Sequence, residues 1–279
     1  MEKSLDRLEI LKKIEEYELD GKFDVDVEND PPTEPLRPEE VDYLRKKLSS
    51  KIKRFFSYKM AVAYVKKSIK NGTLIIKDII GKENLDLVKG GAIVTCNHFN
   101  AHDNFAIWEA FRHKFTRKRR MYKVIREGNY RFSGLFGTLM RNCDTLPLSS
   151  NIKTMSNFLG AVDTLLQNGN YILIYPEQAM WWNYRKIRPF KVRAFKFASK
   201  NIVPVIPCFI TMSDSEKIGV DGFPIQEYTV HILPPIFPDE NKTAKENAEI
   251  MCEANYKACV ETYERVYGEK MTYNTKENI

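Results

Sequence analysis

The chain has 279 residues, 43% apolar and 29% charged, with a formal net charge of +7, a profile that excludes disordered and fibrous classes. No window approaches the roughly 18 apolar residues of a membrane-spanning helix, and the mixed-charge start MEKSLDRLEILKK lacks the apolar core and cleavage site of a secretory signal. The expected location is therefore the cytoplasm.

Residues 1–20 place Leu5, Leu8, Ile10, Leu11, Ile14 and Tyr17 at the spacing of one helical stripe, predicting a short amphipathic helix. Gly21 to Pro38, with DPPTEPLRP and five acids, breaks that period and reads as an extended linker. Pro38-Glu39-Glu40 restarts a helix that either stops near Lys47 or runs into the next stretch. That stretch, Lys51 to Lys70, holds seven bases and no acid, and Arg112 to Lys123 holds seven more. Residues 1–50 carry a net −6 and residues 51–279 a net +13, so an acidic leader precedes a basic body.

From residue 90 the texture changes to β-branched runs at 90–96, 170–176, 202–210 and 228–236, with an amphipathic helix over 157–167 that Gly169 ends. Strands alternating with helices predict an α/β fold, a largely parallel sheet covered by helices on both faces. Residues 243–267 read as a final helix, followed by a frayed tail. The expected organisation is a helical leader and linker at 1–50, a basic membrane-facing helical segment at 51–85, a catalytic core at 86–240 and a C-terminal helix and tail at 241–279.

Ligands of open parallel sheets bind beyond the carboxyl ends of the strands. After the first run comes Asn97-His98-Phe99-Asn100-Ala101-His102-Asp103. A histidine followed five residues later by an aspartate can bring the carboxylate to one ring nitrogen and leave the other free as a general base. After the second run comes Tyr175-Pro176-Glu177-Gln178, which brings another carboxylate to the same edge.

N-H-x4-D, then PE, then P-F-K and V-P-V-I-P, in that order over about residues 85–212, resembles the glycerolipid acyltransferase family, which includes the 1-acylglycerol-3-phosphate acyltransferases. The resemblance implies that His98 and Asp103 are the catalytic pair. It implies substrate-binding roles for Asn97, Glu177, Lys191, Arg193 and Pro207, with Val203 to Pro207 on the acyl-donor side. Its expected reaction is transfer of a fatty acyl group from acyl-CoA or acyl carrier protein to a lysophospholipid hydroxyl, with no metal and no cofactor beyond that thioester. An oxyanion site is expected either at the start of the helix after Asp103 or in the 176–179 turn.

The chain departs from the family at three points. Gln178 stands where the family has the glycine of F-P-E-G, and Arg193 where it has a glycine after P-F-K. The arginine that binds the acceptor phosphate falls at Ser149 or Ser150, and a serine cannot make the bidentate contact of a guanidinium. Either Lys153, Arg185, Lys191 or Arg193 substitutes, or the acceptor is a non-phosphorylated or glycolipid alcohol. A catalytically silent lipid-binding protein is the reading from outside the enzymes.

Bases interleaved with Phe55, Phe56, Tyr58, Met60, Tyr64 and Val65 suit peripheral attachment to the anionic cytoplasmic face of a membrane, against the plainer reading of a solvated helix face. The second basic patch would meet lipid headgroups, acyl carrier protein or a coenzyme A phosphate; no nucleic-acid recognition motif accompanies either patch. Trp181 and Trp182 line a pocket, sit at the bilayer or pack in the core. His102 reads as a polar neighbour of the cleft. Cys96, Cys143, Cys208, Cys252 and Cys259, with no CxxC pair, read as reduced and mostly buried thiols.

Overall fold

The computed structural model describes residues 2–28 and 32–276. In chain order the helices are α1 (Leu5–Leu19), α2 (Leu48–Asn71), α3 (Asp103–Phe111), α4 (Glu127–Arg131), α5 (Gly134–Asn142), α6 (Ile152–Gln167), α7 (Arg193–Asn201) and α8 (Ala244–Tyr267). The strands are β1 (Ile75–Ile80), β2 (Ala92–Thr95), β3 (Met121–Ile125), β4 (Thr145–Pro147), β5 (Tyr171–Ile174), β6 (Val205–Ile218) and β7 (Pro224–Ile232). They form one sheet in the order β1-β7-β6-β2-β5-β3-β4, in which only β6 and β7 pair antiparallel. The mostly parallel sheet flanked by helices is the architecture the alternating runs predict.

The central strands β2 and β5 are buried along their whole length, as strands covered on both faces must be. On one face Val65, Phe105, Ile107 and Phe111 pack against Val94, Leu173 and Ile206. On the other, Phe158, Val162, Leu165, Phe195 and Met251 from α6, α7 and α8 cover Ile93, Ile172 and Val205. Each such side chain, fully buried, stabilises the fold by about 1.5–3 kcal/mol relative to exposure. Local signals agree with this packing. Asn151 caps α6 by accepting from the N–H groups of Lys153 and Thr154, and Thr243 with Glu246 forms the capping box of α8. Gly91, just before β2, has no room for a side chain: a Cβ there would lie 2.2 Å from the Leu166 carbonyl.

Several expected elements are corrected. No α-helix starts at Pro38; Pro38–Glu40 is a single 3-10 turn. The chain then extends to bury Tyr43, whose hydroxyl donates to the Pro147 carbonyl at 2.8 Å, and Arg45 takes a left-handed φ of 51° that no helix accommodates. The basic helix begins afresh at Leu48. The 51–85 segment is not helical throughout, because Ile75–Ile80 leaves α2 to become an edge strand paired with β7. β6 runs on to Ile218, past the apolar run, because β7 supplies a partner for its polar residues.

The linker holds no helix or strand among its described residues; Asn29, Asp30 and Pro31 lie outside them. It is nonetheless packed, with Val27 and Leu36 completely buried. Nor does the tail fray up to residue 276. Tyr273 donates to the Ile187 carbonyl at 2.6 Å, the Asn274 N–H donates to Glu18 at 2.9 Å, and Lys276 pairs with Asp20. Leader and tail thus close against each other.

Candidate active site

β2 and β5 lie side by side and parallel, with Thr95 opposite Ile174, so the residues that follow each strand emerge together at the carboxyl edge of the sheet. His98 follows β2, and Tyr175, Pro176 and Glu177 follow β5. The loop after β2 turns into α3 at Asp103, whose side chain is completely buried. One Asp103 oxygen, Oδ2, accepts from His98 Nδ1 at 2.7 Å and from the N–H groups of Phe99 and Asn100 at 3.2 and 3.3 Å. The carboxylate is an acceptor, so Nδ1 carries the ring proton and Nε2 keeps its lone pair. The His98 side chain is 24% exposed, open enough for a substrate to reach.

Two features around this pair were not foreseen. The Tyr175 ring stacks on the imidazole, with centroids 3.9 Å apart and planes at 16°, and its hydroxyl donates to Asp103 Oδ1 at 2.6 Å. Arg188, 1% exposed, pairs with Glu177 at 2.7 Å and donates to the His98 carbonyl at 3.1 Å. Nothing in the local sequence singled out Arg188; Arg185, Lys186, Lys191 and Arg193 lie beside it in the chain, and only the fold turns this one inward.

Glu177 is not placed to meet a substrate. Its oxygens accept from the His98 N–H at 3.0 Å, the Arg188 N–H at 3.0 Å and the Arg188 guanidinium, so it holds the backbone on which His98 is mounted. Asn97 is likewise spent on structure: its amide donates to the Ile210 carbonyl at 3.0 Å and accepts the Ile210 N–H at 2.9 Å, tying β2 to β6. Pro207 is buried within β6 opposite Thr95. Lys191 sits at the same edge, its N–H on the Pro176 carbonyl and its ammonium on Asp24 of the leader at 2.7 Å. Arg193 is exposed at the start of α7.

Gln178 takes the φ of 67° that the turn after Glu177 requires, a conformation in which glycine costs nothing and other residues about 1–2 kcal/mol. Its N–H donates to the Tyr175 carbonyl and that of Ala179 to the Glu177 carbonyl, so both are used within the turn.

The two serines also have protein partners. Ser149 Oγ donates to the Leu36 carbonyl at 3.0 Å and Ser150 Oγ to Glu127 at 3.1 Å. They border a cleft of about 380 Å³ that Arg126, the residue after β3, also lines. Arg126 pairs with Asp26 of the leader. Of the other cations considered, Arg185 pairs with Asp214 at 2.7 Å and Lys153 is exposed.

Neither tryptophan lines an open pocket. Trp181 packs against Ile14, Val27 and Ala179 and donates to the Val25 carbonyl at 2.8 Å; Trp182 is covered by Phe223 and Arg7. Three of the seven bases of the Arg112–Lys123 patch are ion-paired within the protein, Arg112 with Glu109, Lys114 with Asp86 and Arg120 with Asp144; Lys123 donates to Asn104 at 2.8 Å, and Arg117 and Lys118 are exposed. His102 lies beside Tyr64, and burial pushes its imidazole down from the ordinary value. Burial pushes the Cys96 thiol far up, away from nucleophilic use. Among the described residues, no three His, Cys, Asp or Glu side chains converge on a metal position.

Residues 77–211, from β1 through the first half of β6, match the family model described as Acyltransferase. The chain carries an acyltransferase domain. Among solved structures it is similar to the 1-acyl-sn-glycerophosphate (LPA) acyltransferase PlsC from Thermotoga maritima, at 17% identity and a TM-score of 0.48, over 77% of this chain and 84% of that one. No curated protein matches. Both expected catalytic residues, His98 and Asp103, lie within the acyltransferase domain, as do Asn97, Glu177, Lys191, Arg193 and Pro207.

Proposed function

We propose that the protein transfers an acyl group from an acyl thioester, acyl-CoA or acyl carrier protein, to the free hydroxyl of a lysophospholipid, with 1-acyl-sn-glycerol-3-phosphate as acceptor and phosphatidic acid as product. The observation that carries this reading is the His98–Asp103 pair at 2.7 Å, partly open at the carboxyl edge of the sheet.

In this reading His98 Nε2 takes the hydroxyl proton as the acceptor oxygen attacks the thioester carbonyl. Asp103 keeps the imidazole in the required tautomer and stabilises the imidazolium. The tetrahedral intermediate then collapses, its C–S bond breaks, and the imidazolium returns the proton to the departing thiolate. The N–H groups of Gln178 and Ala179 are occupied within their turn and those of His102, Asp103, Phe105 and Ala106 at the start of α3, so both expected oxyanion positions have backbone donors that a developing oxyanion must draw from existing acceptors. Lys191 and Arg126 are the cations proposed to receive the acceptor phosphate, exchanging the leader carboxylates of Asp24 and Asp26 for it.

A peripheral membrane contact belongs to the same proposal. No helix among the described residues is long and apolar enough to cross a membrane. The outer face of α2 exposes Ile52, Phe55, Phe56 and Met60 among its lysines, and α5, packed beside it, exposes Leu135 and Phe136. Exposed apolar groups of this size beside bases suit an anionic lipid surface, each base near it contributing about 1 kcal/mol.

A second reading, acylation of a non-phosphorylated or glycolipid alcohol, is favoured by the serines at 149 and 150 and by the carboxylates already paired with Lys191 and Arg126. The deciding experiment is thiol release from acyl-CoA and acyl carrier protein, with lyso-acceptors carrying or lacking the phosphate, and His98→Ala as control. Release that requires the phosphate and vanishes in the variant supports the phospholipid reading. Release with unphosphorylated acceptors alone replaces it with the second, and no release with any pair returns the silent lipid-binding reading.

A further inference from the structure

We propose that Tyr175 is a positioning residue for the His98–Asp103 pair, its hydroxyl holding the second carboxylate oxygen and its ring supporting the imidazole from one face. The inference rests on the general-base role given to His98 above.

The argument starts from where the protons are. Asp103 is completely buried, and Oδ2 already receives three donors, the His98 ring and two backbone N–H groups. Oδ1 faces the other way, toward β5, where the Tyr175 hydroxyl donates to it at 2.6 Å. Burial first, and then the Asp103 charge, hold the phenol well above its ordinary range, so it stays a donor wherever the enzyme works. A buried carboxylate oxygen without a donor is costly, and the carboxylate would gain by rotating toward other donors. The phenol therefore fixes the plane in which Oδ2 meets His98.

The ring has a separate effect. Stacked at 3.9 Å and 16°, it presents a π face to the imidazole, which favours the charged imidazolium. The hydroxyl acts the opposite way: by drawing carboxylate charge toward itself, it weakens the pull of Asp103 on the ring proton. The two halves of one side chain thus bias the base in opposite directions, and two substitutions separate them. The other titratable or charged groups around the pair are Cys96, Tyr228, Glu177 with Arg188, His102 and Lys123. Both substitutions leave them in place.

The test uses the full chain as Tyr175→Phe and Tyr175→Leu. It measures the pH profile of kcat/KM and, without substrate, the titration of the His98 ring signals by NMR, assigned with His98→Gln. Tyr175→Phe keeps the stack and removes the hydroxyl. It is expected to lower kcat about tenfold, part of the roughly 10²–10⁴-fold that a positioned base supplies, and to move the acidic limb and the His98 titration to higher pH. Tyr175→Leu, which also lacks the ring, is expected to titrate at lower pH than Tyr175→Phe. A Tyr175→Phe protein with unchanged kcat and unchanged His98 titration overturns the proposal, and identical titrations for Phe and Leu overturn the role of the ring. Absence of thiol release from the wild-type protein, with the NMR shifts still present, would count against the proposed reaction and support the positioning role.

Discussion

Arg188 is the residue whose loss should be felt most widely. Its side chain is 1% exposed and its partner Glu177 2% exposed, at 2.7 Å. The guanidinium also donates to the carbonyls of His98, Phe23 and Ala179 and lies over the Trp181 ring, 4.9 Å from its centroid. Arg188→Ala leaves the Glu177 carboxylate buried with only its two backbone donors. Removing one partner of a buried pair costs about 3–5 kcal/mol, and for a chain of this size each kcal/mol lowers Tm by about 2–4 °C. The expected outcome is a loss of about 3–5 kcal/mol in urea unfolding, with Tm lower by about 6–20 °C. Activity should fall further than the folded fraction, since the His98 carbonyl loses a donor. Arg188→Lys keeps the charge but cannot span the same acceptors, so an intermediate loss is expected. Glu177→Gln with Arg188→Met removes both charges and should cost less than the sum of the single changes. The reasoning is refuted if Arg188→Ala unfolds within 1 kcal/mol of wild type, a margin well below the roughly 3 kcal/mol floor for such a pair, or if the two single changes simply add.

Four further outcomes follow from the same geometry. Asp103→Asn, which no longer fixes the His98 tautomer, should lower kcat by roughly 10²–10⁴-fold with KM little changed, checked by steady-state thiol release. Phe55→Ser with Phe56→Ser should weaken sedimentation with anionic vesicles several-fold without altering Tm, because both rings are more than half exposed; undiminished binding would remove α2 from the membrane contact. Burial first, then Arg265, push His231 down to about 4 from 6.5. The unfolded chain therefore binds the extra proton between those values, and stability should fall by about 2 kcal/mol, discounted for screening, as pH drops from about 6.5 to about 4, a slope that His231→Gln removes. Finally, Lys22 and Lys276 hold Asp20 down at about 2, and Arg131 with the Arg37 N–H holds Glu40 there too. The contribution of these pairs to leader attachment is complete above the ordinary carboxylate range and lost as pH falls toward 2. Protection of residues 2–28 against hydrogen exchange, taken relative to the intrinsic rate at each pH, should fall over that interval, and constant protection would show that apolar packing alone holds the leader.

Much of the architecture could be read from the chain because it depends on local chemistry. β-branched runs bounded by glycine became β2 and β5, the Phe158–Leu166 stripe became part of α6, and the helical stretch at 243–267 became α8. His98 and Asp103 were legible for the same reason: five residues across one strand-to-helix turn bring them within reach of each other. Neither edge of the sheet was legible: β1, like the polar half of β6, is a strand only through pairing with β7, and the three-residue β4 only through pairing with β3.

The roles of the remaining site residues were decided by contacts distant in sequence. A carboxylate after β5 has the same composition whether it faces a ligand or a guanidinium, and only the inward turn of Arg188 makes Glu177 a support for His98. Asn97 could be a ligand in any open loop, yet the approach of Ile210, 113 residues later, occupies its amide. The acidic leader shows most plainly what tertiary structure adds. Charge and prolines exclude a long helix or strand from its linker after α1, but where Asp24 and Asp26 settle depends on Lys191 and Arg126 being gathered at one edge of the sheet. Charge acts at a distance set by the fold, and the order of residues along the chain does not contain that distance.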